Sequence, residues 1–275
     1  LVDPQIRRKK YMRVDDIAIS SVDKISLFDI TTGEYLFDLD ELTGATIEQA
    51  EDTADVKGKN GRKITTLKRN KTITISGTNG MVSGGMLEQQ TGGKFESKTT
   101  EVMWSDYLTV SGNAAVTTYK AVGTTGAEIE ELYVKNADGV LGKELTQDAT
   151  AAAGKFAYAP ATKKITFNEG ELADGTEIVV YYKRRIQANV LENLSSSYSK
   201  KCRGYIDITG EDKCGNLYRV QIYVPKMDFS GEFSLEIGDN QTTHGFKAEA
   251  LAGACGAGGK LWDYTIFGAN EADAI

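Results

Sequence analysis

Lys71-Thr72-Ile73-Thr74-Ile75-Ser76-Gly77 alternates apolar and polar side chains from end to end. Neighbouring side chains on a strand point to opposite faces, so this run reads as a half-buried strand with Ile73 and Ile75 turned toward a core. Upstream, the apolar-rich runs 25–30 and 35–39 are separated by Thr31, Thr32, Gly33 and Glu34, the spacing of a β-hairpin with a glycine in its loop. Downstream, Asn79 is read as the cap of a short helix in which Val82, Met86 and Leu87 share a face. Gly84 and Gly85 oppose that helix by about 1 kcal/mol each relative to alanine.

Two charge blocks lead into the deciding strand. Residues 38–55 carry Asp38, Asp40, Glu41, Glu48, Glu51, Asp52 and Asp55 and no base. Residues 57–71 carry Lys57, Lys59, Arg62, Lys63, Lys68, Arg69 and Lys71 and no acid. Two readings stay open: a flexible acidic loop followed by a basic strand or hairpin that registers against another subunit, or a surface laced with its own ion pairs.

Further along, short strands at 132–135, 164–167 and 177–182 alternate with turns at Ala137-Asp138-Gly139 and Ala173-Asp174-Gly175, the texture of an inserted small β-domain over 109–185. The alanine-rich stretch 149–154 is compatible with one helical turn or with a loop. In the last third, alternating runs at 203–209 and 217–224 flank a turn containing Asp212, Lys213, Cys214, Gly215 and Asn216, and so predict a hairpin. After Pro225, residues Phe229, Gly231, Phe233, Leu235 and Ile237 fall on one face, which predicts a further strand needing a core on one side. Leu261, Trp262, Tyr264, Ile266 and Phe267 are expected to close the sheet. There is no internal repeat.

Composition agrees with an all-β reading. Thirteen tyrosines and recurrent Val, Ile and Thr favour strands, and 29 glycines against 3 prolines favour tight turns over rigid linkers. A formal net charge of -7 opposes tight wrapping of nucleic acid, which needs a clustered cationic surface. The cysteines Cys202, Cys214 and Cys255 are odd in number and form no CxxC pair, so reduced thiols are expected rather than a disulfide framework or a zinc site. No apolar signal segment follows the basic run Arg7, Arg8, Lys9, Lys10, and no window has the apolar length a bilayer needs, so a non-exported, non-membrane protein is expected.

Candidate chemistry is sparse. His244 is the single histidine, so a Ser-His-Asp or Cys-His mechanism must use it, and HxxxH or HExxH metal motifs have no second histidine. The competing reading of His244 is a surface or hydrogen-bonded residue. The glycine-rich segment 253–260 imitates a phosphate loop, but Ala254 stands where a glycine is required and Leu261 where Ser or Thr should follow Lys260. Glu48, Glu51, Asp52 and Asp55 cluster without interleaved aromatics, which suits a solvated face better than a glycosidase pair. The arm Arg7 to Lys10 with Arg13 is read as solubilising rather than nucleic-acid-binding. No enzyme, cofactor or metal is expected.

The order of these features resembles the tail tube (major tail) proteins of long-tailed bacteriophages. Two stretches carry the resemblance. One is Lys71-Thr-Ile-Thr-Ile-Ser-Gly77 running into residues 79–90. The other is Val224-Pro-Lys-Met-Asp-Phe-Ser-Gly-Glu-Phe-Ser-Leu-Glu-Ile237, followed by Gly245-Phe-Lys-Ala-Glu-Ala250 and Leu261-Trp-Asp-Tyr-Thr-Ile266. The resemblance implies an all-β tube domain over 1–108 and 186–275, a β-sandwich or rolled sheet with a short flanking helix. The insertion 109–185 then becomes an outward decoration, an immunoglobulin-like appendage or extra wall strands. It also implies homo-hexameric rings stacked into a hollow virion tail, assembled in the host cytoplasm around a tape-measure protein. Tail terminator and distal tail proteins would bound the tube, and phage DNA would pass transiently through it. In that family a long N-terminal loop reaches the adjacent ring, and residues 38–71 with both charge blocks are the matching segment. The inner tube of a contractile tail, a capsid decoration protein and a surface binding module are the alternatives.

Overall fold

Ile73 and Ile75 are fully buried, as their alternation requires, and each contributes about 1.5–3 kcal/mol by leaving water. A computed structural model of the chain describes residues 16–238, 242–252 and 259–268. The basic arm at residues 7–10 and 13, residues 253–258 of the glycine-rich segment and Cys255 lie outside the described residues. The described residues are mostly strand, with one α-helix, and the chain divides into two compact units, Leu1–Phe95 with Leu191–Ile275 and Glu96–Val190.

The first unit contains β1 (Ile17–Asp29), β2 (Tyr35–Leu39), β3 (Leu42–Lys57), β4 (Lys63–Asn79) and α1 (Gly84–Thr91). The second contains β5 (Phe95–Thr109), β6 (Ala114–Val116), β7 (Ile129–Lys135), β8 (Leu141–Gln147), β9 (Lys155–Ala159), β10 (Lys164–Phe167) and β11 (Glu177–Leu191). The chain then returns to the first unit as β12 (Lys201–Asp212), β13 (Leu217–Phe229), β14 (Leu235–Glu236), β15 (Thr243–Ala250) and β16 (Asp263–Gly268).

In the first unit the strands run β2-β1-β12-β13-β15-β4-β3, with β16 on β13 and β14 on β15. The β1–β2 and β12–β13 hairpins stand where the alternation put them, and β16 closes onto β13 through Ile222↔Tyr264 and Val220↔Ile266. Ile25, Leu27, Leu39, Ile75, Ile206, Val224 and Phe246 share one core. Gly77 is required there, since a Cβ would stand 2.8 Å from the Phe246 ring and 2.7 Å from the Gly44 carbonyl. The second unit runs β5-β11-β7-β8-β9-β10-β6 around Leu132, Phe156, Ile165 and Tyr182, with β8 and β9 parallel. Residues 149–154 form loop and turn.

Three expectations are corrected. Asn79 does not cap the helix: it ends β4, and its side-chain amide donates to the Met81 carbonyl. Ser83 caps α1 by accepting from the Met86 N–H at 3.3 Å, Gly92 ends it at φ 73°, and Val82 stays outside. The run 229–237 is not one strand. Pro225 sits inside β13 at a bulge, where Pro225 and Lys226 oppose Arg203 and a residue without an N–H is tolerated. β13 stops at Phe229 because Ser230 turns the chain, its hydroxyl accepting from the Glu232 N–H. Only Leu235 and Glu236 pair again, with β15, and Ile237 is 89% exposed. The segment 38–71 is not a loop either: the acidic and basic blocks occupy the paired strands β3 and β4.

Candidate functional site

The β3–β4 hairpin begins inside the core and ends outside it. From Leu42↔Asn79 to Ala50↔Thr72 its inner face carries Ile47, Ile73 and Ile75. At Asn70, with φ 47°, two residues of β4 oppose Glu51 alone, and this bulge exchanges the faces of β4. Beyond it, Thr53↔Lys68 and Asp55↔Thr66 continue the inner face of β3 with polar side chains. The other face carries Ala54, Val56 and Leu67, with Val56 and Leu67 exposed. The tip folds over Lys59–Gly61, where Asn60 and Gly61 both have positive φ and Gly58 N–H donates to the Arg62 carbonyl at 2.8 Å.

The charge blocks meet each other. Lys63 pairs with Asp55 at 2.7 Å and Lys68 with Glu51 at 2.6 Å, while Asn70 donates to Asp52 at 3.0 Å. Such exposed pairs contribute only about 0–1 kcal/mol each, so they set register more than stability. Glu48, Lys57, Lys59, Arg62, Arg69 and Lys71 are exposed on the same hairpin and form no ion pair among the described residues. Asp40 and Glu41 lie in the link before β3, whereas Asp38 belongs to β2 and faces Lys24 at 3.9 Å. Among the described residues the outer edge of β3 has no partner strand in the sheet, which leaves a row of backbone donors and acceptors open to pairing. The ion pairs between the blocks are those of the salt-laced surface that the sequence left open, whereas the apolar strip was not expected. The Asn60-Gly61 dipeptide, inside the basic block just after Lys57 and Lys59, is the signal that finds the hairpin.

His244, the one candidate for acid–base chemistry, is fully buried on β15. Its Nδ1 accepts from the Ser83 N–H at 3.3 Å and its Nε2 lies 2.8 Å from the Gln90 side-chain oxygen, which fixes the proton on Nε2. Burial lowers its pKa, so the ring is neutral and ties both ends of α1 to the sheet. The Cys202 thiol is buried and pushed up to about 12, first by burial and then by Asp228 and Asp29, so it is no nucleophile. Among the described residues no cluster of His, Cys, Asp and Glu is arranged to hold a metal, and no helix is long and apolar enough to cross a membrane.

The sequence profile described as the YomU/Tube protein family matches residues 17–261. No curated protein matches the chain.

Proposed function

The chain belongs to the YomU/Tube protein family, a family of phage tail tube proteins, and from that premise we propose that it closes into hexameric rings that stack into the hollow tail of the virion. The observation that carries this reading is the β3–β4 hairpin, whose inner half is anchored by Ile73 and Ile75 and whose outer half is exposed among the described residues. A long strand with an open edge is an aggregation liability in a monomer and a joint in an assembly. Ring closure takes the open edge, and the tip with Lys57, Lys59 and Arg62 reaches the adjacent ring. The inner-face ion pairs keep the arm in register until it docks. The first unit supplies the tube wall and the second an appendage. A tape-measure protein fills the tube during assembly, with terminator and distal tail proteins at its ends. A wall of net negative charge lets DNA pass without adhering.

Negative-stain micrographs and sedimentation of the purified chain at high concentration test the reading. Hollow tubes or stacked rings are expected. A variant with residues 53–67 replaced by Asn-Gly should stay folded by circular dichroism and form rings that no longer stack. Persistent monomers of the parent chain overturn the assembly, and normal tubes from the shortened variant overturn the role of the arm.

A further inference from the structure

We propose that the second unit binds an acidic saccharide on Trp104, Tyr119 and Arg184, with a sugar carboxylate on the guanidinium. The Arg184 guanidinium carbon lies 3.7 Å from the Tyr119 ring centre and 4.7 Å from that of Trp104. The two rings meet edge to face at 5.2 Å. Nε and Nη1 of Arg184 are shielded from water and have no hydrogen-bond acceptor, and the side chain has no ion pair among the described residues. The ring faces offset part of that cost. They supply no negative charge. Nη2 is the one guanidinium nitrogen not closed off, and it is the open position for an anion.

The acid bonded to Trp104 is already committed. Asp106 accepts from Trp104 Nε1 at 3.0 Å, from the Thr118 N–H at 2.7 Å and from the Tyr182 hydroxyl at 2.7 Å, and Tyr182 in turn accepts from the Tyr119 N–H at 3.0 Å. This buried network holds both rings in place before any ligand arrives, which lowers the ordering cost of binding. Two more cations flank the loop: Lys163 donates to the Thr118 carbonyl at 3.0 Å, and Lys120 is exposed beside Tyr119. Neither forms an ion pair among the described residues, so a local positive excess stands on a chain of net charge -7. Trp104 and Tyr119 nevertheless remain 37% and 39% exposed. A fixed aromatic surface suits the C–H face of a pyranose, and the cations suit its carboxylate. An acidic peptide or a small inorganic anion would use the cations and leave the rings idle.

The test uses the full chain carrying Trp262→Phe, which leaves Trp104 as the sole tryptophan. Its fluorescence is titrated with a galacturonic acid hexamer, with maltohexaose and with hexaglutamate. Saturable binding of the galacturonate hexamer at least tenfold tighter than either comparison is expected. Arg184→Gln should weaken it at least tenfold and the exposed Lys120→Gln at least threefold, the latter with an unchanged melting temperature. Equal binding of hexaglutamate reduces the site to simple charge attraction and overturns the proposal. So does the absence of a saturable response to galacturonate, or Lys120→Gln binding like the parent.

Discussion

The β12–β13 and β3–β4 hairpins belong to one sheet and have opposite surroundings. β12 alternates buried and half-buried residues along most of its length, and it is held by β1 on one edge and β13 on the other. β13 is flanked by β12 and, on its outer edge, by β15 and β16 in succession. Among the described residues the outer half of β3–β4 has neither cover on its faces nor a partner along β3. Both are antiparallel, interrupted by bulges and closed by tight turns, so backbone pairing alone does not distinguish a hairpin that builds the fold from one directed outside it. What distinguishes them is where the apolar side chains go. Ile206, Ile222 and Val224 meet one another in the core, whereas Val56 and Leu67 meet solvent.

Truncation should expose this contrast most strongly. Ile222→Ala in β13 is expected to cost about 2–5 kcal/mol in denaturant unfolding, through lost burial and the cavity left behind. Leu67→Ala should cost less than about 0.5 kcal/mol, as surface changes do. A comparable loss at Leu67 would show that the outer arm is packed within the monomer and erase the contrast.

Acid gives a smaller effect confined to the supported region. The folded pKa of His244 lies below its ordinary 6.5 because of burial, so above that value the node contributes its full stability. As pH falls below 6.5 the unfolded chain takes up a proton that the folded chain refuses. Stability then falls by up to about 1.4 kcal/mol per pH unit until the folded pKa is reached. Unfolding curves between pH 7 and 5 should show this slope, and His244→Gln should flatten it. A slope retained in that variant would place the acid sensitivity elsewhere.

The smallest effect is expected in the outer arm. A double-mutant cycle on Glu51 and Lys68 should give a coupling of about 0–1 kcal/mol that shrinks with added salt. A larger, salt-resistant coupling would mean that the pair is desolvated and the arm less exposed than its side chains indicate.

Alternation was enough to find β4, β12 and β13, because period-two patterning is a local property and their cores followed it. It failed at 229–237, where the pattern was equally clean but Ser230 turns the chain out of β13 and only Leu235 and Glu236 pair again. The helix was found and its cap misplaced by four residues, since both Asn79 and Ser83 are good caps and only the end of β4 decides between them. In the candidate site the charges and the option of their mutual pairing were legible, but which acid meets which base was not, because that depends on the turn at Asn60-Gly61. The Arg184 cluster lay beyond reach, as Trp104, Tyr119 and Arg184 come from separate strands and a loop that only the fold brings together.

The bulge at Asn70 also has an evolutionary consequence. It separates the face assignment of the outer arm from that of the core, so the two halves of β4 need not share a parity. Adding two residues to each strand at the tip lengthens the arm by about 7 Å and leaves every inner side chain facing as before. A lineage can therefore vary its reach in discrete steps, by paired insertions at one turn, while the sheet beneath stays under unchanged selection.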